Sequence, residues 1–579
     1  MNTFYSKEIN VQILVSLMKS HGIRKIIVSP GTTNINFVAS VQSDPYFELY
    51  SSVDERSAAY MACGLAVENG EPVALSCTGA TASRNYIPGL TEAYYRKIPI
   101  LVVTSTQHEG RIGQNIAQVI DRRAVLNDIV KLSIQAPTAH TEEDEWALNV
   151  QINRALLELC HRGGGPVHIN LATAYSKDFS LRKLPESRVI CRTCYGETLP
   201  SIPNGRIAIF VGAHFHWSEK ETAAVDRFCE TYNGVVLCDH TSNYRGRYRV
   251  LFNLVTSQSQ YISPCLNADL MIDIGDVSGA YMKCRTDQVW RVNPDGEVRD
   301  TYKKLRRVFE MQEKDFFEAY TSEVPDESHD SYYREWIVAR ENIEQKIPEL
   351  PFSNVWIAQQ SAGRIPDNSI LYLGILNTLR AWNFFETPSS VTCYSNTGGF
   401  GIDGGVSTLL GLSLADKNKL CFGIVGDLGF FYDMNALGNR HVGRNLRLML
   451  INNGRGTEFR NYNHPANQFG EDADAYMAAA GHYGNQSLKL VKHYAEDLGY
   501  EYMSAVNKEE YAVCADRFFI NGLIDKPMVF EIFTDSQSES DAIKMMNNLE
   551  ISASGSAKQI IKNALGDKGL QTVKRLLGH

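Results

Sequence analysis

Nowhere does this chain hold a run of about 18 apolar residues, so no membrane-spanning helix is expected. It lacks a positive charge balance. Its 57 Lys and Arg against 66 Asp and Glu give a formal net charge of −9, which leaves no domain-wide basic surface for phosphates and excludes a nucleic-acid partner. The opening "MNTFYSKEINVQILVSLMKS" is amphipathic and charged, unlike a secretory leader. Zinc-site spacing is missing as well: Cys191 and Cys194 form one CxxC with no second pair and no matching His pair, so a surface loop is expected there. Most of the twelve cysteines sit in apolar runs such as "VALSC" and "LCFGIV", the pattern of reduced core residues in a cytoplasmic protein. No GxGxxG follows an apolar strand, and "VGAHFHW" lacks the glycine spacing for a pyrophosphate, which disfavours a nicotinamide or flavin dehydrogenase.

What the chain does have is alternation. At 579 residues it is too long for one core. Short apolar strands alternate with helical patterns, which predicts an α/β protein of three doubly wound parallel-sheet domains. The first domain, residues 1–185, has strands near 25–29, 72–77, 98–105 and 166–171. A polar, proline-containing stretch near 184–204 reads as a linker. The central domain, 200–330, is Rossmann-like, with strands at 206–212, 234–239, 268–276 and 288–296. The segment 312–350 is charged and reads as a crossing poor in core residues. The third domain, 350–540, has strands at 369–374, 419–427, 446–454 and 527–533. The tail 541–579 has no strand pattern. Lys558, Lys562, Lys568, Lys574 and Arg575 fall among apolar residues at helical spacing, as in a packed or oligomer-bridging helix.

The strongest chemical signal is "GIVGDLGFFYDMNALGNRHVGRNLRLMLINNG". An apolar strand ends at Gly426 and Asp427 follows at its carboxyl end, where open α/β sheets bind ligands. A helix expected from Phe430 turns its N-terminus to the same edge, a place for anionic phosphate. The next strand ends in Asn452-Asn453-Gly454. A carboxylate, an amide oxygen and a loop carbonyl are hard ligands suited to Mg²⁺ on a diphosphate. Singly, each reads equally as a helix cap and an Asn-Gly turn. A second signal is "VDERSAAYMACGLA", where Glu55 opens a helix of small apolar residues; the helix dipole alone would favour a carboxylate there.

The pair "GD…NN" resembles the diphosphate-and-metal motif of thiamine-diphosphate (ThDP) enzymes. Leu428 in the third motif position resembles one subfamily, the menaquinone-pathway synthase that joins a succinyl unit from 2-oxoglutarate to isochorismate. The resemblance extends through "SPGTTN", "DERSAAYMACGLA", "TGATASRNYIPGLTEAYYRKIPILVVTS", "AQVID", "GILNTLRAWNF" and "NTGGFGIDGGVSTLLG". It implies a pyrimidine-binding first domain, a diphosphate-binding third domain, ThDP and Mg²⁺ as cofactors, and a homodimer or homotetramer with sites at the subunit interface. It implies that Glu55 hydrogen-bonds the aminopyrimidine and so promotes loss of the thiazolium C2 proton. Thr78, Gly79, Gly426, Leu428 and Asn453 then contact the cofactor, and Ile402 wedges it into a bent shape. Asp427, Asn453 and the Arg455 carbonyl become metal ligands, and Gln118 lies near the reacting carbonyl. The apolar Ile402 reads otherwise as core, and Gln118 as a surface residue.

The departures concern charge. The resemblance implies that Thr33, Gln107 and Thr397 stand where that synthase carries arginines for its acidic substrates, that Tyr281 and Met282 replace a basic pair, and that Arg380 remains. Buried carboxylates without cations are costly, so different substrates are expected: a small 2-oxo acid donor such as pyruvate and a neutral carbonyl acceptor, a nucleotide-activated keto-sugar being one kind. His108, beside Glu109 and Arg111, reads either as a proton shuttle or as a solvated loop histidine. The function expected is a 2-oxo acid-decarboxylating carboligase, a transferase or lyase. The alternatives are a simple decarboxylase and a non-catalytic scaffold.

Overall fold

The structure is a computed structural model and describes residues 3–321, 329–481 and 487–552. The chain packs as two compact units, residues 1–198 with 295–310, and 199–294 with 311–579. It holds three parallel sheets of six, seven and six strands.

The first sheet contains β1 (Lys25–Val28), β2 (Glu48–Ser51), β3 (Val73–Cys77), β4 (Ile100–Thr106), β5 (Leu132–Ala136) and β6 (Val167–Ala172), in the order β2-β1-β3-β4-β6-β5. Its strand pairs are parallel. Strands β3, β4 and β6 are buried at every residue, as parallel strands covered on both faces must be. One core packs helix Ile9–Ser20 and helix Glu142–Glu158 against one face. A second core packs helix Glu55–Asn69 and helix Ile87–Tyr95 against the other.

The middle sheet contains β7 (Cys191–Cys194), β8 (Ile207–Val211), β9 (Gly234–Cys238), β10 (Arg249–Leu251), β11 (Leu270–Ile274), β12 (Val289–Val292) and β13 (Leu305–Glu310). Its order is β10-β9-β8-β11-β12-β13-β7. Two expectations are corrected here. Cys191 and Cys194 lie on an edge strand paired with β13, not in a surface loop, because the stretch read as a linker alternates enough to extend a sheet. The segment 312–350 is not poor in core residues: helices Glu313–Tyr320 and Ser331–Glu344 bury Phe316, Phe317, Tyr332, Trp336 and Ile343 beneath their charged faces.

The third sheet contains β14 (Ile370–Leu373), β15 (Thr392–Tyr394), β16 (Cys421–Gly426), β17 (Leu446–Asn452), β18 (Glu501–Ala505) and β19 (Met528–Phe533). Its order, β15-β14-β16-β17-β19-β18, repeats the winding of the first sheet. The direction of winding reverses between β14 and β16, which opens a crevice beyond their carboxyl ends. Helix Ser536–Met546 follows β19. The lysine-bearing part of the tail, from residue 553, lies outside the described residues. Among the described residues no helix is long and apolar enough to cross a membrane.

Candidate active site

A cleft of about 190 Å³ sits at the crevice between β14 and β16. Four helices begin there. Asn354, Asn377, Gly405 and Asp427 are the first residues of helices Asn354–Ser361, Asn377–Trp382, Gly405–Ala415 and Asp427–Asp433, and all four line the cleft. Aligned peptide dipoles at such ends favour an anion, and protein carboxylates already take some of the first-turn N–H groups, Glu539 that of Asn354 and Asp427 that of Leu428. Asp433 fixes two of these helices together, accepting from Ser407 N at 2.6 Å and from Ser407 Oγ at 2.7 Å. The floor is glycine. A Cβ on Gly426 would meet nothing within 4 Å, so its absence keeps space open in front of the strand end and is not a packing need. A Cβ on Gly429 would lie 3.0 Å from the Ile402 carbonyl, which holds Ile402 against the turn.

The helix that follows β16 starts at Asp427, three residues earlier than the expected start at Phe430. Its Oδ1 accepts from Leu428 N at 2.9 Å and its Oδ2 from Gly454 N at 2.8 Å. The carboxylate thus ties the end of β16 to the turn after β17. It is buried, and desolvation pushes its pKa up to about 7 against the pull of these N–H donors. Strand alternation separates the two asparagines. Asn452 turns inward and donates to Glu531 Oε1 at 2.8 Å, whereas Asn453 lines the cleft with a buried Oδ1 that has no hydrogen-bond partner among the described residues.

These residues fit a diphosphate-bound divalent cation. Such a cation would give Asn453 Oδ1 the partner it lacks and would hold Asp427 ionised. Among the described residues no three His, Cys, Asp or Glu side chains cluster as a metal site. A cation here would therefore depend on one carboxylate, one amide oxygen, a carbonyl such as that of Arg455, and phosphate oxygens brought by the ligand. Arg455 lines the cleft with its guanidinium paired to Asp474 at 2.8 Å. Ile402 lines the cleft beside Leu428 and is 36% exposed, unusual for an isoleucine that serves only as core.

The other expected residues lie at the carboxyl end of the first sheet. Asp54, not Glu55, caps helix Glu55–Asn69: its side chain accepts from Ser57 N at 2.8 Å. Glu55 is half-buried, with Asn85 Nδ2 at 3.5 Å from its Oε2, and its carboxylate is not needed to satisfy the helix end. Thr33 and Thr78 share a hydrogen bond of 2.7 Å between their hydroxyls. Gly79 is required, since a Cβ there would lie 2.8 Å from the Gln118 carbonyl oxygen. Gln118 is exposed and has a left-handed backbone, φ 62°. Thr33, Thr78, Gly79 and Gln118 are thereby brought together. His108 is exposed and its Nδ1 accepts from Gly110 N at 3.1 Å, capping a short turn; Gln107 accepts from Arg111.

The family profile described as "Thiamine pyrophosphate enzyme, N-terminal TPP binding domain" matches residues 10–125. A 2-succinyl-5-enolpyruvyl-6-hydroxy-3-cyclohexene-1-carboxylate synthase of Bacteroides thetaiotaomicron is 31% identical over 568 residues, covering 93% of this chain and 98% of that one. The chain belongs to this thiamine-diphosphate-dependent enzyme family. The corresponding synthase of Bacteroides fragilis is likewise 31% identical, over 572 residues, 93% of this chain and 98% of that one. A solved structure, the Rhodococcus jostii RHA1 thiamine diphosphate-dependent 4-hydroxybenzoylformate decarboxylase, matches with a TM-score of 0.39 and 16% identity over 91% of this chain and 99% of that chain. The identity and coverage of the two synthases make this chain a ThDP-dependent enzyme.

Within this ThDP enzyme, three of the residues expected to face substrate have protein surroundings of their own. Thr33 and Thr397 are buried, each 4% exposed, and Arg380 forms an ion pair with Glu458. Sequence reasoning missed Glu458 and Asn354, which carry no local motif; Asn377 and Gly405 lay inside quoted stretches but were not singled out. It also missed Arg122, which anchors the loop bearing Gln118. Arg122 is buried, donates to Ser105 O at 2.7 Å and to Asn170 Oδ1 at 3.1 Å, and its own carbonyl accepts from Gln135.

Beside this anchor, His168 is buried between Thr104 Oγ1 at 2.7 Å and Ser133 Oγ at 2.8 Å. Burial, with a smaller push from the Arg122 charge, drives its pKa from 6.5 down to about 3. In that window the unfolded chain binds a proton that the folded chain refuses, so stability falls as pH drops. The expected loss of urea stability between pH 7 and pH 5 is about 2 kcal/mol smaller in His168→Asn than in the wild type. Equal losses in the two proteins would refute the assignment.

Proposed function

We propose that this enzyme decarboxylates a small 2-oxo acid such as pyruvate and transfers the resulting acyl carbanion equivalent to a neutral carbonyl acceptor, a nucleotide-activated keto-sugar being one kind. The observation that carries the reading is the pairing of Asp427 with the unpartnered Asn453 Oδ1 on a glycine floor ringed by helix N-termini. In this reading Asp427, Asn453 and the Arg455 carbonyl hold Mg²⁺, and Gly426, Leu428 and Ile402 hold the cofactor, whose pyrimidine meets Glu55, Thr78 and Gly79 of a second copy of the chain. Bound ThDP supplies the carbon nucleophile and electron sink for loss of CO₂. Glu55 holds and returns a proton at the pyrimidine N1′. Gln118 orients the donor's carbonyl oxygen, and His108 delivers a proton to the acceptor oxygen through its Nε2, its Nδ1 being engaged by Gly110.

Two further features support the reading. Where the resemblance to the synthases implies cations for a second substrate carboxylate, this chain has the neutral Thr33, Gln107 and Thr397. Tyr60, Met61, Val67 and Tyr95 leave apolar surface exposed on helices Glu55–Asn69 and Ile87–Tyr95, which suits a homo-oligomer.

The test is a CO₂-release screen over 2-oxo acids with ThDP and Mg²⁺, followed by product analysis with carbonyl acceptors. The expected result is release from a 2-oxo acid with an uncharged side chain, and a coupled product only when acceptor is present. Release of free aldehyde with every acceptor would make the enzyme a simple decarboxylase. No release despite bound cofactor would overturn the reading.

A further inference from the structure

Among the described residues lining the cleft, the charged side chains are Asp427, Arg455 and Glu458. The single cation among them, Arg455, is already paired with Asp474. Arg380, the one arginine retained from the set expected to hold substrate, stands just behind the wall, where its Nη1 donates to Glu458 Oε2. Glu458 is fixed from several sides. Its Oε2 also accepts from Asn461 Nδ2 at 3.1 Å. With the Asn377 amide oriented to satisfy its neighbours, the Asn377 nitrogen donates to the same oxygen at 2.8 Å and the Asn377 oxygen accepts from Glu458 N at 3.1 Å. Both partners of the ion pair are largely shielded, the Arg380 side chain 29% and that of Glu458 19% exposed.

A charge-assisted pair held this way is strong and directional. A substrate carboxylate arriving at this wall would meet one carboxylate already seated on the arginine. To bind, it would have to displace Glu458 and leave that group without its cation, which is costly in a partly desolvated cleft. A hydroxyl or carbonyl group has no such conflict, because Glu458 still offers lone pairs and Asn377 an amide.

We propose that Glu458 is a specificity-determining residue that occupies Arg380 and so excludes substrates with a second carboxylate from this cleft. The inference rests on the proposed reading of the cleft as the place where the 2-oxo acid and its acceptor react. It makes selectivity an active rejection by a residue that is present, beyond the loss of arginines elsewhere.

The test uses inert acids, so it needs no turnover. Dissociation constants of glutarate and valerate, which differ by one carboxylate, are measured by calorimetry on the full chain loaded with ThDP and Mg²⁺. The wild type should bind glutarate no more tightly than valerate. Glu458→Gln should shift the ratio toward glutarate by about tenfold, the scale of one charge-assisted contact. The double variant Arg380→Gln with Glu458→Gln should lose that gain. An unchanged ratio in Glu458→Gln, or a gain that survives in the double variant, would overturn the inference. If Glu458→Gln does not load with cofactor, Glu458→Thr is read in its place with the same expectation; if neither loads, Glu458 serves the fold and the selectivity role is overturned. Failure of every 2-oxo acid to release CO₂ would sink the proposed reaction separately, while the two acids would still report on Glu458.

Discussion

Glu55→Gln is expected to bind ThDP within a few-fold of the wild type and to turn over about 10²–10⁴-fold more slowly, the usual contribution of a positioned acid–base group. The structure makes this a clean substitution. The helix cap belongs to Asp54, which keeps its bond to Ser57 N whatever stands at position 55. Glutamine can still pair with Asn85, and the charge lost from the first helical turn is worth about 1 kcal/mol or less. A large kinetic loss in a stable, cofactor-loaded protein would then belong to the proton at the pyrimidine nitrogen. The direct readout is hydrogen–deuterium exchange at the thiazolium C2 of the bound cofactor, followed by quenched NMR. Exchange at the wild-type rate in the variant would remove Glu55 from the mechanism and leave it a half-buried neighbour of a helix cap.

Asp427→Asn is expected to weaken Mg²⁺-dependent ThDP binding by about 100-fold or more, since even groups that only support a metal's ligands contribute 10–100-fold. The substitution removes the charge. It also turns an amide N–H₂ toward either Leu428 N or Gly454 N, which now donate to the two carboxylate oxygens. Asn453→Ala should weaken binding too, without the accompanying disturbance of the turn, because Asn453 Oδ1 makes no internal hydrogen bond. Calorimetric titration with ThDP, with and without Mg²⁺, separates the two effects. Chelation by EDTA should reproduce the loss in the wild type and add little in Asp427→Asn. Unaltered affinity in both variants would place the diphosphate elsewhere.

Most of the strands legible in the sequence share a physical property: they are buried along their length. Strands β3, β4, β8, β9, β11, β16, β17 and β19 lie inside their sheets and read as continuous apolar runs. Seven strands escaped notice: β2, β5, β7, β10, β15 and β18 at sheet edges, and β13, an interior strand whose Arg306, Arg307 and Glu310 break its apolar run. The edge strands are short or partly exposed, so neither hydrophobic runs nor clean alternation mark them. The site follows the same logic. Asp427 and Asn453 were visible because the chemistry of strand ends confines them to a fixed spacing. Glu458 and Arg122 act through partners far away in sequence, Arg380 for one and Ser105 and Asn170 for the other. Nothing local announces such a pairing. Arg380 shows the cost of reading a residue alone: its identity suggested a substrate contact, and only the fold reveals the glutamate already bound to it.

The first and third sheets are wound in the same order, 2-1-3-4-6-5 when each is counted from its own first strand, and each has its own hydrophobic core. One winding thus recurs along a single polypeptide, each copy of it closed around its own interior. A change that retunes one copy for new molecules is cushioned by its own interior and need not disturb the other.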